Sequence, residues 1–458
     1  MAKFTLIGSG LAGGMMAAFL GRRGHEVELY ERRVDPRAGN FVGGRSINLA
    51  LSTRGIHALQ QLGIADEVLQ HAIPMRGRMI HPAGPNASNI FVPYDRDPSK
   101  CINSIGRDAL NAATIEAAVR YPNVGVHFDH RCTDVDLDSA TAQFLQADDE
   151  NSRSSVVAGA SPATSEQKIE ASGDAVIGVD GAFSVVRRAM QRLDRFDYTQ
   201  TYLAHGYKEL TIPPAPDGSW RMEKHALHIW PRKSFMMIAL PNPDGSFTCT
   251  LFWEWEGPRS FATVRTNDDI RRFFDEEFRD AVPLMPTLLK EFRENPTGSL
   301  VTVRCAPWYH GDKIALVGDA AHAVVPFYGQ GMNAAFEDCV VLDECLAEFP
   351  DDRERAFREY FVRRKENADA LADLAVENFI EMRDKTASKR FRGKKKVDHL
   401  LEAALPGIYL PLYTMISFTR IPYAHAARRA RRQDRIVYLS LVGLALALVV
   451  MLLALIAR

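Results

Sequence analysis

The chain has 458 residues, 46% hydrophobic and 25% charged, a composition that supports a folded core and excludes a disordered or collagen-like chain. Its 56 Lys and Arg nearly balance 57 Asp and Glu, giving a net charge of -1, so nucleic-acid binding through an overall positive field is excluded. The length predicts two or three domains and leaves the oligomeric state open. Six cysteines are scattered without a CxxC pair, which indicates free thiols in a reducing compartment.

The start of the chain predicts a βαβ unit that binds a dinucleotide. An apolar strand at 3–7 is followed by a glycine-rich turn, a helix at 11–23 and a strand at 27–30. The turn has GxGxxG spacing, in which Gly8 permits a tight turn, Gly10 lets the backbone approach a pyrophosphate and Gly13 lets the helix pack on the strand. Glu31 ends the second strand, where a carboxylate accepts hydrogen bonds from ribose hydroxyls. This motif does not separate NAD from FAD.

Helical periodicity recurs at 53–63 and 107–121. The segment 148–170 is rich in Ser, Ala, Asp, Glu and Gly, and we interpret it as a solvated loop insertion without regular structure. Short β-type runs separated by turns occupy 198–255 and predict a sheet-rich second domain. A strand at 314–317 then precedes a region in which helices dominate.

The segment 436–457 is predicted to be a transmembrane helix. Its 22 residues carry no charge, and at the helical rise they span roughly 33 Å, close to the thickness of the bilayer core. Arginines are concentrated before this segment, between 428 and 435, which predicts that the N-terminal body lies on the cytoplasmic side. The alternative is a buried core helix. The basic segment 383–396 is either a solvated face or a contact with anionic headgroups.

Two further segments, together with the glycine-rich turn, resemble the flavoprotein aromatic hydroxylases. One is a strand that ends in Asp180-Gly181 and leads into a helix, and the other is Gly-Asp-Ala-Ala-His at 318–322. The family comprises FAD monooxygenases that use NAD(P)H and dioxygen. The resemblance implies that Asp319 is a FAD ligand and that Asp180 is a weaker candidate near the nicotinamide, although either could be a helix N-cap. We interpret His322 as a structural histidine, because no second His or Cys lies at ligand spacing, and we predict no metal site.

Additional segments are similar to the branch of this family that acts on kynurenine; they lie at 44–52, 74–81, 227–232, 325–333 and 410–415. The resemblance implies that L-kynurenine is hydroxylated to 3-hydroxykynurenine, with bound FAD, NADPH and O2, through a flavin C4a-hydroperoxide. This reaction belongs to tryptophan degradation by the kynurenine pathway, which feeds pyridine nucleotide biosynthesis. Relatives in this branch also carry a C-terminal membrane helix, which would lie in the inner membrane of a bacterium or the mitochondrial outer membrane of a eukaryote.

The resemblance also implies the residues of both sites. The substrate carboxylate would be bound by Arg78, Tyr94, Asn378 and Tyr413, and the ring would be lined by Leu227, Ile238, Leu240, Phe252 and Phe327. FAD would be bound by Gly8, Gly10, Ala12, Gly13, Glu31, Arg32, Ala50, Arg107, Asp319, Gly331, Met332 and Asn333. An arginine can pair with a carboxylate through two hydrogen bonds. No acid or base is assigned, because the ring amine already supplies electron density to the reacting carbon.

The expected architecture is α/β: a Rossmann-like FAD-binding domain of the aromatic hydroxylase type, a β-sheet substrate domain, C-terminal helices and one transmembrane helix. The FAD-binding domain is expected at 1–75, 100–195 and 299–345, the substrate domain at 76–99 and 196–298, the helical region at 346–435 and the anchor at 436–457.

Three other functions remain open from the sequence. They are a hydroxylase for another aromatic acid, a membrane-associated epoxidase or reductase of isoprenoid lipids, and a flavoprotein without catalytic activity. The polar residues implied for the pocket argue against a purely apolar lipid substrate.

Overall fold

A computed structural model describes residues 1–38, 48–84, 87–95, 97–147, 166–385, 389–405 and 407–456. The strands are β1 (Lys3–Ile7), β2 (Glu26–Tyr30), β3 (Leu49–Leu51), β4 (Ile73–Met75), β5 (Gly77–Ile80), β6 (Ile90–Pro93), β7 (Ile102–Ile105), β8 (Val124–His127), β9 (His130–Asp136), β10 (Thr141–Ala147), β11 (Glu166–Ser172), β12 (Ala175–Gly178), β13 (Asp197–Ile212), β14 (Ala226–Arg232), β15 (Phe235–Pro241), β16 (Phe247–Glu254), β17 (Thr297–Ala306), β18 (Tyr309–His310) and β19 (Ile314–Leu316).

The α-helices are α1 (Leu11–Arg22), α2 (Thr53–Gln61), α3 (Ala65–Gln70), α4 (Arg107–Val119), α5 (Val185–Met190), α6 (Asn267–Glu277), α7 (Leu288–Glu294), α8 (Asp319–His322), α9 (Gly331–Glu348), α10 (Arg353–Ile380), α11 (Lys389–Ala404), α12 (Leu412–Phe418) and α13 (Tyr423–Ile456). A π-helical segment, Glu381–Lys385, follows α10, and a 3-10 turn, Pro326–Tyr328, precedes α9.

The first sheet has the order β18-β19-β12-β1-β2-β8. The five strands from β19 to β8 pair in parallel with their neighbours, and only β18 is antiparallel. The strand β1 is almost wholly buried, as expected for a parallel sheet covered by helices on both faces. The predicted βαβ unit and the helices at 53–63 and 107–121 are therefore confirmed, within one or two residues at most ends.

The predicted loop at 148–170 is wrong for its last five residues. The strand β11 pairs along its length with β10, which also pairs with β9, in a three-stranded antiparallel sheet. Ile169, opposite Phe144, packs against the core, while the neighbouring positions of β11 are polar. Ala171 packs against the same core, but one large and one small apolar residue in a polar edge strand make too weak an alternation to read from sequence. Residues 148–165 lie outside the described residues.

The second sheet has the order β17-β13-β16-β15-β14-β5-β6. Every pair is antiparallel except β5 with β14, which brings residues 77–80 against residues 226–229 in parallel. One face packs on α6 and α7 around Trp253, Phe273 and Phe274. The other face carries Leu227, Ile238 and Phe252 toward the FAD-binding region. The β pattern predicted at 198–255 is confirmed by β13 to β16, whereas the domain boundaries stay a prediction.

Helices follow residue 330, as predicted, and α13 continues from Tyr423 into the apolar C-terminal segment. Within the part of the chain that the structure describes, no helix is both long enough and apolar enough to cross a membrane. Some side chains of 436–457 and most of those of 383–396 lie outside the described residues, as do residues 44–47 of the resembling segment 44–52.

Candidate active site

The glycine-rich turn between β1 and α1 is shaped by close backbone contacts. Gly8 has a φ of 103°, a conformation that favours glycine. A Cβ on Gly13 would lie 1.9 Å from the Gly8 carbonyl oxygen, whereas a Cβ on Gly10 would have no protein atom within 4 Å. No side chain caps the start of α1, so its amide donors point at an open backbone turn. This turn fits a pyrophosphate.

Glu31 lies beside this turn, as predicted. Its Oε2 accepts a hydrogen bond from the Ser9 backbone N–H at 2.8 Å, and its Oε1 accepts one from the Arg33 N–H at 3.0 Å. These bonds fix the carboxylate between the first turn and the end of β2, where a ribose of a bound dinucleotide would lie. Arg32 is exposed next to it, and Ala12 is half-buried in the first turn of α1.

Asp319 begins α8, directly after Gly318, whose φ is 63°. It is exposed, yet desolvation by the surrounding protein raises the pKa of its carboxyl, and Arg107 and His322 oppose that shift. Arg107 is also exposed, at the start of α4. The structure therefore places the predicted FAD ligands Asp319 and Arg107 within electrostatic range of each other.

A buried charge cluster supports the turn that carries Asp319. Asp338 of α9 accepts hydrogen bonds from the Gly318 N–H at 3.1 Å and from Arg364 Nε at 2.6 Å, and it contacts His322 Nε2. Burial raises the pKa of Asp338, but His322 and Arg364 lower it, and the net shift is downward. His322 is thus a structural residue, as interpreted from the sequence. Asp338 and Arg364 carry no motif, so the sequence did not reveal them.

The start of α9 meets the strand β3 and the helix α2 through Asn333. Its Oδ1 accepts from the Ser52 and Gly55 N–H groups at 2.9 and 3.3 Å, and its Nδ2 donates to the carbonyls of Ala50 and Gly329 at 2.8 and 2.9 Å. The Asn333 amide is therefore fully engaged within the protein. Gly331 and Met332 are half-buried, as is Ala50, and any contribution of Asn333 to a flavin would come from its backbone.

Asp180 supports the start of α5. Its Oδ2 accepts from the Val185 N–H at 2.6 Å and the Val186 N–H at 3.4 Å, which is the capping alternative considered for it. Its buried Oδ1 has no partner in the structure, and desolvation raises the pKa of its carboxyl. A role near the nicotinamide stays a prediction.

Arg78 is a buried cation beside two stacked tyrosine rings. Its Cζ lies 4.7 Å from the Tyr413 ring centroid and 5.8 Å from that of Tyr94, and the two rings stack at 5.2 Å. Burial lowers the pKa of Arg78, but Tyr413, Tyr94 and Glu381 raise it further, so the guanidinium stays charged. Arg78 Nε is buried without a hydrogen-bond partner, and the Tyr94 hydroxyl lies close to Tyr413 and Arg78 without a well-directed hydrogen bond to either. Because unpaired buried donors are costly, this arrangement fits an anionic ligand such as a carboxylate.

The predicted apolar wall lies on the sheet face that bears Arg78. Leu227 is opposite Arg78 in the β5–β14 pairing, and both Leu227 and Ile238 pack in two apolar clusters while remaining partly exposed. The Phe252 ring lies 4.9 Å from the Phe327 ring. Leu240 is buried beside Tyr94 in the second cluster. The structure thus brings the predicted carboxylate and ring residues together.

Asn378 is placed differently from the role implied for it. Its Nδ2 donates to the Phe327 carbonyl at 2.7 Å and contacts the Met382 sulfur at 3.3 Å. The amide donor therefore holds the apolar wall, and contact with a substrate carboxylate stays a prediction.

Two aromatic residues of this region are not among the site residues predicted from the sequence. Tyr328 stacks on Tyr413 at 5.8 Å and Phe379 stacks on Phe327 at 4.0 Å. Phe379 had no pattern of its own, because adjacent residues such as Asn378 and Phe379 do not share a helix face. Tyr328 had only its position in the resembling segment 325–333. No group of three or more His, Cys, Asp or Glu among the described residues could hold a metal ion.

Comparisons with known proteins define the class of this protein. The family described as FAD binding domain matches residues 2–375. The fold is shared with 2-methyl-3-hydroxypyridine-5-carboxylic acid oxygenase, with a TM-score of 0.63 at 20% identity over 88% of this chain and 95% of the other. It is also shared with Pseudomonas aeruginosa PqsL, with a TM-score of 0.64 at 19% identity over 86% and 99%. The chain is an α/β FAD-binding protein with the aromatic hydroxylase fold.

The more similar relatives narrow this class. The chain is 49% identical to kynurenine 3-monooxygenase of Myxococcus xanthus, over 94% of this chain and 89% of that protein. It is 46% identical to kynurenine 3-monooxygenase of Dictyostelium discoideum, over 93% and 90%. The chain belongs to the kynurenine 3-monooxygenase family.

Proposed function

We propose that this protein is a FAD-dependent monooxygenase that hydroxylates L-kynurenine to 3-hydroxykynurenine with NADPH and O2. The observation that carries the proposal is the buried, charged Arg78 with an unpaired Nε, beside the Tyr94 hydroxyl and an apolar wall. L-Kynurenine offers the matching groups, because it combines a carboxylate with an aminophenyl ketone.

The polar end of the substrate is bound by charge and hydrogen bonds. Its carboxylate pairs with the Arg78 guanidinium and accepts from the Tyr94 hydroxyl, with Tyr413 stacked against both. Such charge-assisted bonds contribute about 1.5–3 kcal/mol each where the donors would otherwise be unpaired.

The aromatic end of the substrate lies against apolar side chains. Leu227, Ile238, Phe252 and Phe327 can enclose the ring, and their packing keeps water away from it. A site that excludes water limits side reactions of the reactive groups formed within it. The aniline amine activates the ring carbon ortho to it, so the chain needs no base at that position.

The residues of the first sheet fit a bound FAD. FAD supplies the transfer of electrons from NADPH and the activation of dioxygen. The Gly8–Gly13 turn would hold its pyrophosphate, Glu31 a ribose, and Asp319 the ribityl hydroxyls. The amides at the start of α9 would stabilise negative charge on the flavin ring.

The test is NADPH oxidation by the FAD-loaded, detergent-solubilised protein with and without L-kynurenine, with the product identified by mass spectrometry. The expected result is a stimulated rate and a product heavier than kynurenine by one oxygen atom. Bound FAD without stimulation would contradict the proposal and favour another aromatic acid or a non-catalytic flavoprotein.

We also propose that residues 436–457 anchor the protein to a membrane, with the arginine-rich side and the catalytic body in the cytoplasm. Support comes from the uncharged sequence and from apolar side chains of α13 that are exposed, including Ile436, Leu439, Leu446 and Val450. In a bacterium this membrane would be the inner membrane, and in a eukaryote the mitochondrial outer membrane.

A further inference from the structure

Arg54, on the first turn of α2, has an almost completely buried side chain. A buried guanidinium requires partners, since the desolvation of its charge is expensive. Its Nε lies 3.2 Å from a Glu337 carboxylate oxygen, an ion pair without hydrogen-bond geometry, and its Cζ lies 4.0 Å from the centroid of the Tyr423 ring. Its two terminal nitrogens donate to the carbonyl oxygens of Ile416 and Ile421.

The Ile416 carbonyl belongs to the last turn of α12, and the Ile421 carbonyl belongs to the link between α12 and α13. The helix α12 has seven residues, which is too short for stability on its own, and the carbonyls of its last turn have no partner within the helix. Arg54 binds one of them, and the Thr419 hydroxyl donates to another, that of Met415, at 2.6 Å. A cation at a helix C-terminus is also favoured by the helix dipole. Arg54 therefore fixes the end of the helix that carries Tyr413.

Two other partners of Arg54, Glu337 and Tyr423, connect it to α9 and to the residue that precedes α9. Glu337 is on α9, and Tyr423 donates from its hydroxyl to Gln330 Oε1 at 3.0 Å. The Gln330 amide donates to the Ser52 hydroxyl at 3.1 Å, and the Ser52 N–H donates to Asn333. The residues next to Arg54 are thus bonded to the turn that faces the predicted flavin position.

We propose that Arg54 is a positioning residue, which holds Tyr413 and its partner Arg78 at a fixed place relative to the flavin-side end of α9. This inference rests on the proposed kynurenine hydroxylation. Arg54 does not touch the substrate in this account; it acts through the position of α12. Its loss therefore weakens kynurenine binding more than it changes the content of FAD.

A matched control is available in Arg232, which has the same kinds of contact elsewhere. Arg232 is buried, donates to the carbonyls of Glu277 and His81 at 2.6 and 2.9 Å, pairs with the Glu277 carboxylate at 3.4 Å, and lies 5.4 Å from the Phe278 ring. The variants Arg54→Met and Arg232→Met therefore each lose a buried arginine with one ion pair, one ring contact and two carbonyl bonds, to which Arg232 adds a third at the adjacent Pro231. Only the first alters the support of α12.

The experiment compares full-length wild type, Arg54→Met, Arg54→Lys and Arg232→Met, all loaded with FAD. We expect the KM for L-kynurenine to rise about tenfold or more in Arg54→Met with a smaller change in kcat, to take an intermediate value in Arg54→Lys, and to stay within about twofold in Arg232→Met. We also expect faster hydrogen exchange of the amides in 412–418 in Arg54→Met but not in Arg232→Met.

An unchanged KM and unchanged exchange in Arg54→Met would overturn the positioning role, as would equal effects in Arg232→Met. If Arg54→Met does not retain FAD, Arg54→Lys carries the same test with the same two readouts. Wild-type protein that binds FAD but does not hydroxylate kynurenine would contradict the proposed function instead, and the exchange measurement would still decide the role of Arg54.

Discussion

At the scale of single residues, the site depends on Arg78, a buried cation whose Nε has no hydrogen-bond partner in the protein. Replacement Arg78→Met removes the cation that the substrate carboxylate needs, so we predict a rise of about tenfold to hundredfold in the KM for L-kynurenine with FAD retained. Arg76→Met is the control, because Arg76 lies two positions away and is exposed. Steady-state kinetics on both variants measures this. Normal kynurenine affinity in Arg78→Met would contradict the carboxylate assignment.

The roles of individual residues could be predicted from the sequence only where a local motif sets them. Glu31 and the glycines were accessible because their roles are set by a local turn of fixed spacing. The amides of Asn378 and Asn333 were not, because their partners Phe327 and Ser52 are 51 and 281 positions away. Arg54 could not be found for the same reason, since its carbonyl partners lie more than 300 positions along the chain.

At the scale of elements, two glycines of the β1–α1 turn have different roles: Gly13 is needed for packing within the protein, and Gly10 leaves space for a ligand. Gly13→Ala places a methyl group 1.9 Å from the Gly8 carbonyl oxygen, so we predict loss of both folding stability and FAD. Gly10→Ala meets no protein atom within 4 Å, so we predict unchanged thermal stability of the FAD-free protein and weaker FAD binding. Thermal unfolding with and without FAD distinguishes the two. Equal loss of apo stability in both variants would contradict this explanation.

The buried charge cluster between α8, α9 and α10 predicts a pH effect on stability. The pKa of Asp338 is lowered in the folded protein, so its carboxylate contributes stability at pH values above the ordinary Asp pKa, and this contribution is lost as the pH falls below about 4. Asp338→Asn should cost about 3–5 kcal/mol near neutral pH, with a difference from wild type that narrows in acid.

Denaturant unfolding at several pH values checks this prediction. Asp373→Asn is the control, because it removes an exposed ion pair with Arg304 and should cost at most about 1 kcal/mol. A difference between Asp338→Asn and wild type that is independent of pH would argue against a charged Asp338.

Elements were predicted well where the pattern was strong. The apolar runs of β14, β15 and β16 and the βαβ unit were read from periodicity. The strand β11 was missed because it is a polar edge strand, and the parallel pairing of β5 with β14 joins segments about 150 positions apart, which no local pattern encodes.

At the scale of the whole molecule, we predict that the C-terminal part of α13 holds the protein in a bilayer. Leu446→Arg combined with Val450→Arg places two charges in the uncharged segment, each costing about 2.5–3.5 kcal/mol at the centre of a membrane helix. We expect the variant to be released from membranes by alkaline extraction while wild type is retained. Val362→Arg, at an exposed position of α10, is the control and should stay with the membrane. Release of wild type itself would contradict the anchor.

The proposed reaction inserts an oxygen atom from dioxygen into the ring of L-kynurenine. The most direct test is turnover of L-kynurenine with NADPH under isotopically heavy dioxygen in ordinary water, followed by mass spectrometry and fragmentation of the product. We expect a hydroxykynurenine that carries one heavy oxygen atom on its ring. A product without heavy oxygen, or NADPH oxidation without a hydroxylated product, would contradict it.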